Sequence, residues 1–422
     1  MHSVTNAIPT GTIASIPAKA HAHRALICAA LANSPSTILL SRTSKDIDAT
    51  MDSLRGLGAH VVYENKVVTI TPGPVPTKGN VVPHESGTTL RLLLPVAASI
   101  CNDVDVDAKG RLPDRPLEPM LSEMKAHGVT FSQDKPPFTM TGRLQGGNFS
   151  MVGDVSSQFF SGLLLAAPQI GLSTITATTP LQSSDYVTLT TETMRDFGVE
   201  VKHTLPSTNI NEAFTVPFGA SFIGRDNYQI EGDWSNAAIW MVAAGMTGKP
   251  ITIIGMNKNS VQADRRIMQI MIDAGCDVVW NGMNVTVTGR ASKPIHADLE
   301  QMPDMLPVMA ALACSISGES SFVKGARLRL KESDRLIAVA NLVRDLGGTV
   351  REDGDDLYII GSGILKGGHG DCVNDHRLVM AGTLMALISE NPVTLQDSEA
   401  ITKSYPDFFE DWNLLGGDAH GI

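Results

Sequence analysis

Basic side chains stand at the polar starts of several apolar segments in a chain that is acidic as a whole. Lys19 and Arg24 open AKAHAHRALICAALA, Arg91 lies in SGTTLRLLLPVAA, and Arg377 opens DHRLVMAGTLMAL. If these segments are helices, their first turns offer unpaired N–H groups and a partial positive charge, which favour bound anions. The pattern therefore predicts sites for phosphate or carboxylate groups.

Further basic residues lie in turns. Arg115 is in RLPDRPLEP, Lys331 and Arg335 are in LRLKESDRL, and Lys403 is in ITKSYPDFF. Taken singly, each is more typical of a solvated surface charge. Their recurrence at equivalent places in a repeat favours a cleft that binds phosphates and carboxylates.

Three polar residues, Ser156, Ser157 and Gln158, open another apolar segment. A single serine there would be explained as a helix N-cap. Two serines and an amide exceed what a cap requires, so capping and ligand binding are equally good interpretations.

Two carboxylates have basic neighbours, Asp304 in MPDMLP and Glu332 in LKESDR. Burial and opposite charges can adjust a carboxyl pKa for proton transfer, so both are candidate acid–base groups. The structural alternative is a helix-start residue for Asp304 and a surface ion pair with Lys331 or Arg335 for Glu332.

An internal repeat predicts the elements that position these residues. Six times an amphipathic segment ends at a glycine and leads directly into a strand-like segment, which predicts helices closed by a left-handed glycine. Strand-like segments such as KVVTITP, NVTVTG and DLYIIG complete each unit. The six glycines are Gly58, Gly128, Gly198, Gly275, Gly347 and Gly416.

The fold class predicted from this repeat is α/β, with two similar domains of three units each. The apolar segments between the glycines are hydrophobic on nearly all sides, which is typical of buried helices. The longest glycine interval, between Gly198 and Gly275, contains TLPSTNINEAFTVPFGASFIGRDN, so we place a domain crossover just after it. The predicted domains are residues 1–15 with 231–422, and residues 16–230.

Composition limits the function classes. A chain of 422 residues with 43% hydrophobic residues can form two or three cores, and a net charge of -11 argues against a general nucleic-acid surface. The five cysteines show no CxxC spacing, and no apolar run reaches the roughly 18 residues of a membrane helix. We expect a soluble cytoplasmic protein that binds neither nucleic acid nor membrane.

Several motifs resemble one enzyme family, in that family's order. RLKESDRL, residues 329–336, closely resembles a signature of the 5-enolpyruvylshikimate-3-phosphate (EPSP) synthases. SGTTLR resembles their phosphoenolpyruvate glycine loop, DRP their arginine turn, VSSQF their shikimate-phosphate motif and SSDY their Ser-x-x-Tyr motif. EGDWS resembles the domain crossover, and NDHR and TKSYPD complete the set.

The resemblance implies a fold and an activity. Its fold has two domains, each of three βαβαββ units with buried central helices (an inverted α/β barrel), and an active site in the cleft between them. Its reaction transfers the enolpyruvyl group of phosphoenolpyruvate to the 5-hydroxyl of shikimate 3-phosphate, in aromatic amino-acid biosynthesis. It further implies a monomeric, cytoplasmic glyphosate target that requires no metal or organic cofactor.

The resemblance also implies roles for individual residues. Asp304 resembles the base and Glu332 the proton donor, with Lys19 as a third catalytic residue. The phosphoenolpyruvate-binding residues would be Lys19, Gly87, Arg115, Gln158, Arg335, His376, Arg377 and Lys403. The shikimate-3-phosphate-binding residues would be Lys19, Arg24, Ser156, Ser157, Gln158, Ser183, Asp304, Arg327 and Lys331.

The sequence departs from the family pattern at four of these motif positions. Ala18 and Ala20 flank Lys19 where hydroxyl residues are usual, which removes one or two hydrogen bonds to substrate. Glu85 and Arg327 stand where asparagines are usual.

Three alternatives are open at this point. A UDP-N-acetylglucosamine enolpyruvyl transferase would share the fold, but it typically has a loop cysteine that AKGRLPDRP lacks. A non-catalytic anion-binding relative would explain the two alanines. A structural scaffold would not explain why charged residues and serines recur at equivalent helix starts.

Overall fold

The computed structural model describes residues 1–208 and 211–422. The chain divides into two compact units, a first unit of Met1–Ile16 with Glu231–Ile422 and a second unit of Pro17–Ile230. Asn209 and Ile210, which belong to the polar stretch before the predicted crossover, lie outside the described residues.

Helices of two kinds alternate along the described residues. The α-helices are α1 (Lys19–Ala30), α2 (Lys45–Gly56), α3 (Gly87–Ile100), α4 (Met120–Ala126), α5 (Ser157–Ile170), α6 (Ser184–Asp196), α7 (Trp234–Thr247), α8 (Ile267–Asp273), α9 (Leu306–Cys314), α10 (Arg335–Asp345), α11 (His376–Ala386) and α12 (Phe408–Leu414). Short 3-10 helices cover Leu112–Asp114, Ala263–Arg266, Pro303–Met305, Ala326–Leu330 and Ser398–Lys403.

The strands are short, as expected for small sheets that pack against helices. They are β1 (His2–Val4), β2 (Gly11–Ala14), β3 (Ser36–Leu39), β4 (His60–Glu64), β5 (Val67–Thr71), β6 (Gly79–Val81), β7 (Asp103–Val106), β8 (Thr130–Phe131), β9 (Phe138–Thr141), β10 (Asn148–Met151), β11 (Ser173–Ala177), β12 (Lys202–Thr204), β13 (Glu212–Val216), β14 (Tyr228–Gln229), β15 (Ile251–Ile254), β16 (Asp277–Asn281), β17 (Asn284–Thr288), β18 (His296–Asp298), β19 (Gly318–Val323), β20 (Thr349–Asp353), β21 (Asp356–Gly361), β22 (Gly368–Asp371), β23 (Val393–Gln396) and β24 (Ala419–Gly421).

The described strands form six sheets of one pattern. The second unit has the orders β14-β3-β5-β4, β6-β7-β9-β8 and β10-β11-β13-β12, and the first unit has β22-β23-β1-β24, β2-β15-β17-β16 and β18-β19-β21-β20. In each sheet the first pair is parallel and the other two pairs are antiparallel. The predicted α/β fold with three βαβαββ units in each domain is confirmed.

The repeated glycines close helices as the sequence predicts. All six have φ between 87° and 103°, a left-handed conformation that glycine adopts without a Cβ clash. The residue after each glycine donates its N–H to a carbonyl in the last helical turn, as Ala59 does to Leu54 at 3.0 Å and Val199 does to Met194 at 2.8 Å. These are helix ends of the Schellman type, and each turns the chain towards the next strand.

The even-numbered helices are amphipathic and half-buried, whereas the odd-numbered helices α1, α3, α5, α7, α9 and α11 are buried on nearly all sides. Each unit has its own core of these central helices and the inner faces of its sheets. Among the described residues, no helix combines the length and the apolar character that a membrane crossing requires. Several of the buried charged residues, including Arg24, Asp375 and Arg377, lie at or near the first turns of these buried helices.

Candidate active site

Helix α1 of the second unit carries two of the predicted cations. Lys19 is its first residue, and its ammonium group pairs with the Asp46 carboxylate of α2 at 2.9 Å. Arg24, one turn later, is fully buried and donates to Thr190 Oγ1 at 2.7 Å and to the Tyr186 carbonyl at 3.0 Å. The two cations of this motif therefore contact different neighbouring helices.

Arg24 is unusual because its hydrogen bonds go to neutral acceptors. Its remaining bonds are to the Ala20 carbonyl at 2.6 Å and to Ser161 Oγ at 3.3 Å. Burial lowers the pKa of Arg24 to about 10, which still leaves it protonated at neutral pH. A buried cation with no carboxylate partner among the described residues is well suited to an anionic ligand.

The glycine loop and the arginine turn meet at the start of α3. Gly87 is the first helical residue, and a Cβ added there would lie 2.4 Å from Arg115 Nη1. Glycine is therefore required for the guanidinium to approach the backbone so closely. The structure brings together these two predicted phosphoenolpyruvate residues.

Gln158 joins α5 to α3. Its side-chain amide donates to Thr88 Oγ1 at 2.8 Å, and its Oε1 accepts from Arg91 at 3.1 Å. Arg91 also donates to the Pro116 carbonyl at 3.0 Å, in the arginine turn. Gln158 is thus part of the polar set around the first turn of α3.

The three predicted serines lie at helix starts. Ser156 is the N-cap of α5 and accepts the Gln158 N–H at 3.3 Å, and Ser157 is the first helical residue. Ser183 precedes α6 with φ of 54°, an uncommon conformation for a residue other than glycine. All three are buried. Ser156 is thus the N-cap of α5, and its role towards a ligand stays a prediction.

In the first unit, Arg335 is the centre of a cluster of carboxylates. It is the first residue of α10, and its guanidinium bonds Asp304 at 2.8 Å, Asp375 at 2.9 and 3.1 Å, and also Glu332. Burial alone would lower the pKa of Arg335, but the three carboxylates hold it above its usual value. One buried cation therefore fixes both candidate acid–base groups.

Asp304 contacts two further cations, Lys331 at 3.1 Å and Arg377 at 3.4 Å. Burial would raise the pKa of Asp304, but the charges of Lys331, Arg377 and Arg335 outweigh it and hold this pKa well below the usual value. Asp304 is therefore a carboxylate at neutral pH and accepts protons weakly while these cations surround it.

Lys331 is affected in the opposite direction. Burial is the main cause that lowers the pKa of Lys331 to about 8, and the charges of Arg327 and Arg335 lower it as well. The charge of Asp304 acts in the other direction and raises this pKa. Lys331 thus changes charge close to neutral pH. The predicted residue Arg327 lies in the adjacent 3-10 helix and acts on Lys331 through its charge.

The other two predicted residues of this unit lie at the start of α11. His376 is the first helical residue and is buried, with Nδ1 3.9 Å from Asp375 Oδ1. Lys403 ends a 3-10 helix and donates to the Asn374 carbonyl at 2.8 Å, directly before the helix. The predicted residues of the first unit therefore form one group.

Glu332, Asp375 and His376 also form a group that could ligate a metal, because one ligand atom from each lies within 4.8 Å of the others. The guanidinium of Arg335 already bonds both carboxylates, so this group already holds one cation. The donor set fits an arginine-centred ion cluster as it stands.

Sequence reasoning missed two carboxylates. Asp375, in the motif NDHR, has no predicted role, yet it is fully buried and caps α11 while bonding Arg335 and Ser333. Asp46 is likewise absent from the predicted residues, yet it pairs with Lys19. An available signal for Asp375 was its place before a buried helix, the same place that Asp233 occupies before α7.

Comparison with known proteins addresses the family. Residues 7–412 match the family model of EPSP synthase (3-phosphoshikimate 1-carboxyvinyltransferase). This chain belongs to the EPSP synthase family. Curated relatives named 3-phosphoshikimate 1-carboxyvinyltransferase include one from Clostridium kluyveri, 36% identical over 97% of this chain and 95% of that protein. Another, from Methanocorpusculum labreanum, is 35% identical over 97% of both chains.

Solved structures agree on the fold. An EPSP synthase from Acinetobacter baumannii superposes with a TM-score of 0.81 over 99% of both chains, at 23% sequence identity. The family membership predicted from the motifs is confirmed, and it makes this chain a transferase of the EPSP synthase type.

Proposed function

We propose that this chain transfers the enolpyruvyl group of phosphoenolpyruvate to the 5-hydroxyl of shikimate 3-phosphate and releases phosphate. The observation that carries this proposal is the Arg335 cluster, which holds Asp304 and Glu332 on one guanidinium among further cations. A base and an acid placed side by side, with cations for anionic substrates, suit the two proton transfers of this reaction.

In the addition step, Asp304 takes the proton of the 5-hydroxyl while the oxygen of that hydroxyl bonds to the enol carbon of phosphoenolpyruvate. The methylene carbon of the double bond takes a proton from Glu332, which acts here in its protonated form, and becomes a methyl group. In the elimination step, the carbon–oxygen bond to phosphate breaks, the methyl group returns a proton to Glu332, and the double bond forms again. The proton held by Asp304 leaves with the phosphate. Atoms and charge balance with phosphate as the leaving group.

Asp304 accepts protons weakly while Lys331, Arg335 and Arg377 surround it. Bound phosphate and carboxylate groups would compete for these cations. As each cation turns to a substrate anion, it stabilises the Asp304 carboxylate less, so the pKa of Asp304 rises towards the range of a useful base. Substrate binding would thereby activate the base.

The family resemblance divides the binding residues into two groups. Arg24 with Ser156, Ser157, Gln158, Ser183, Arg327 and Lys331 would bind shikimate 3-phosphate, and Gly87, Arg115, Arg335, His376, Arg377 and Lys403 would bind phosphoenolpyruvate. Lys19 and Gln158 would serve both substrates. The neutral acceptors around Arg24 support this assignment, since they leave its charge for a ligand.

The test is a phosphate-release assay with the purified chain. Phosphoenolpyruvate and shikimate 3-phosphate together should give equal amounts of phosphate and of an enol ether product, identified by NMR. Either substrate alone, or UDP-N-acetylglucosamine as the acceptor, should give none. Absence of phosphate with both substrates would favour the non-catalytic anion-binding alternative.

We also propose that the chain acts as a monomer in the cytoplasm, as its resemblance to the EPSP synthases implies. Light scattering should give a mass near the 44.9 kDa of a single chain. A mass of twice that value at micromolar concentration contradicts the monomer.

A further inference from the structure

A chain of buried side chains joins helix α1 to the first turn of α3 in the second unit. His23 Nδ1 lies 2.7 Å from Thr50 Oγ1, which lies 2.7 Å from Thr89 Oγ1. Thr89 Oγ1 reaches Ser86 Oγ at 2.8 Å. All four side chains are buried, so this connection from α1 through α2 to α3 is shielded from water.

The hydrogen bonds that link His23, Thr50, Thr89 and Ser86 can be assigned one direction. Thr89 Oγ1 donates its hydrogen to Ser86 Oγ or to the Asp46 carbonyl. A hydroxyl has one hydrogen, so with Thr89 donating in this way the network is completed when Thr50 donates to Thr89 and His23 Nδ1 donates to Thr50. On this basis we assign the proton of His23 to Nδ1.

The other ring nitrogen of His23, Nε2, has no hydrogen-bond partner within residues 1–208 and 211–422, although it is buried. Burial, with the charges of Lys19 and Arg24, keeps the pKa of His23 well below its usual value, so the ring is neutral. An unsatisfied buried polar atom costs about 1–3 kcal/mol. An apolar side chain of similar size would avoid that cost, so the contribution of the ring lies in the bond from Nδ1.

Ser86, at the end of this row of hydrogen bonds, lies beside the proposed phosphoenolpyruvate residues. Ser86 caps α3 by accepting the Thr89 N–H at 3.2 Å, and Gly87 follows with Arg115 packed against it. The same turn is held on its other side by Gln158. Any movement of Ser86 would shift the Gly87 backbone relative to the Arg115 guanidinium.

We propose that His23 is a positioning residue that fixes the Ser86–Gly87 turn, through Thr50 and Thr89, for phosphoenolpyruvate binding. The inference rests on the proposed function. Without the Nδ1 donor, the Thr50 hydroxyl can rotate away from Thr89, and the turn loses one of its two side-chain supports. The loss should affect phosphoenolpyruvate more than shikimate 3-phosphate.

The experiment compares His23→Leu and Thr50→Val with the unmodified chain. Each variant should raise the KM for phosphoenolpyruvate about tenfold and leave the dissociation constant of shikimate 3-phosphate within about twofold. The KM for phosphoenolpyruvate in the double variant should not exceed the higher of the two single-variant values, because both substitutions break the same row of hydrogen bonds. His23→Asn, which places an amide donor near the position of Nδ1, should recover most of the affinity.

The matched control is Thr193→Val. Thr193 is also buried in a helix of the second unit, but its hydroxyl bonds the Leu189 carbonyl of its own helix at 2.7 Å. Its kinetic constants should match those of the unmodified chain. If His23→Leu does not fold, as judged by circular dichroism, Thr50→Val against Thr50→Ser carries the same test.

Three results would overturn the inference: an unchanged KM for phosphoenolpyruvate in folded variants, effects that multiply in the double variant, or no recovery with His23→Asn. Each differs from failure of the proposed function, in which the unmodified chain itself releases no phosphate. A merely structural role for His23 would change the melting temperature and leave the ratio of the two substrate affinities unaltered.

Discussion

The two units use one backbone plan with different charges at their helix starts. In the first unit, Asp233, Asp304 and Asp375 lie at or just before α7, α9 and α11. In the second unit, Ala18, Ser86 and Ser156 occupy the N-cap positions of α1, α3 and α5. Acidic residues in the one set and uncharged residues in the other lead to different environments for the nearby cations.

The consequence is clearest for the two most buried arginines. Arg335 bonds three carboxylates, so its charge is balanced inside the protein. Arg24 bonds hydroxyls and carbonyls, and among the described residues it has no carboxylate to balance it. On the proposed function, the second unit offers Arg24 to an anion directly, whereas in the first unit substrate anions would have to displace carboxylates from Arg335.

The largest expected effect follows from removing an acid of the first unit. Asp304→Asn keeps the shape and removes the base, so turnover should fall about 10²- to 10⁴-fold in the phosphate-release assay. Asp298→Asn is the control, because Asp298 is exposed on β18 and pairs with Lys324. Turnover within about tenfold of the unmodified value would contradict the role of Asp304 as base.

The contrast between the two arginines predicts different stability effects. Arg335→Met leaves three carboxylates around an uncharged side chain and should lower the free energy of unfolding by about 3–5 kcal/mol. Arg24→Met removes a buried charge whose neutral partners can bond one another, as Thr190 already does with Ser161, so stability should change by less than about 1 kcal/mol. Urea denaturation at neutral pH measures both, and equal losses would refute the contrast.

Asp264 differs from the acids bonded to Arg335, because it has no ion pair among the described residues of the first unit. Its Oδ2 accepts from Ser235 and its Oδ1 is buried without a partner. Burial raises the pKa of Asp264 to about 6 from an ordinary 3.8. The protonated form is therefore favoured by folding, and the stability it contributes is present below about pH 4 and lost as the pH rises through about 6.

Asp264→Asn should remove this pH dependence. Its free energy of unfolding should match that of the unmodified chain near pH 4 and exceed it by about 2–3 kcal/mol at pH 8, as measured by urea denaturation across the range. A constant difference between the two proteins from pH 4 to 8 would show that Asp264 does not titrate in this window.

The smallest expected effect concerns Lys331, whose pKa of about 8 lies near neutral pH. Its positive charge is lost as the pH rises through this value, so the dissociation constant of shikimate 3-phosphate should rise up to about tenfold between pH 8 and 9. Arginine stays protonated, so Lys331→Arg should remove most of this rise in the dissociation constant with pH. Lys324→Arg, at an exposed position, should leave the rise in the dissociation constant with pH unchanged.

Local signals in the sequence explain why the fold was predictable. A glycine after an amphipathic segment specifies a left-handed helix end by sterics alone, and an apolar segment specifies a buried helix by hydrophobicity alone. Six repeats of both signals predict six units, each of strands and two helices, and the family resemblance implies the βαβαββ order within them. The motif RLKESDRL then indicated the family, because its residues are contiguous.

The chain itself therefore determined the repeated units, the buried helices and the candidate residues, since each depends on neighbours in sequence. Only the tertiary structure decided which acid meets which cation, such as Asp375 with Arg335 and Asp46 with Lys19. It also decided that β1, β2 and β14 complete sheets whose other strands lie far away in sequence. Strand pairing and ion pairing join groups across long stretches of chain, and their energy depends on distance and burial, which no local pattern contains.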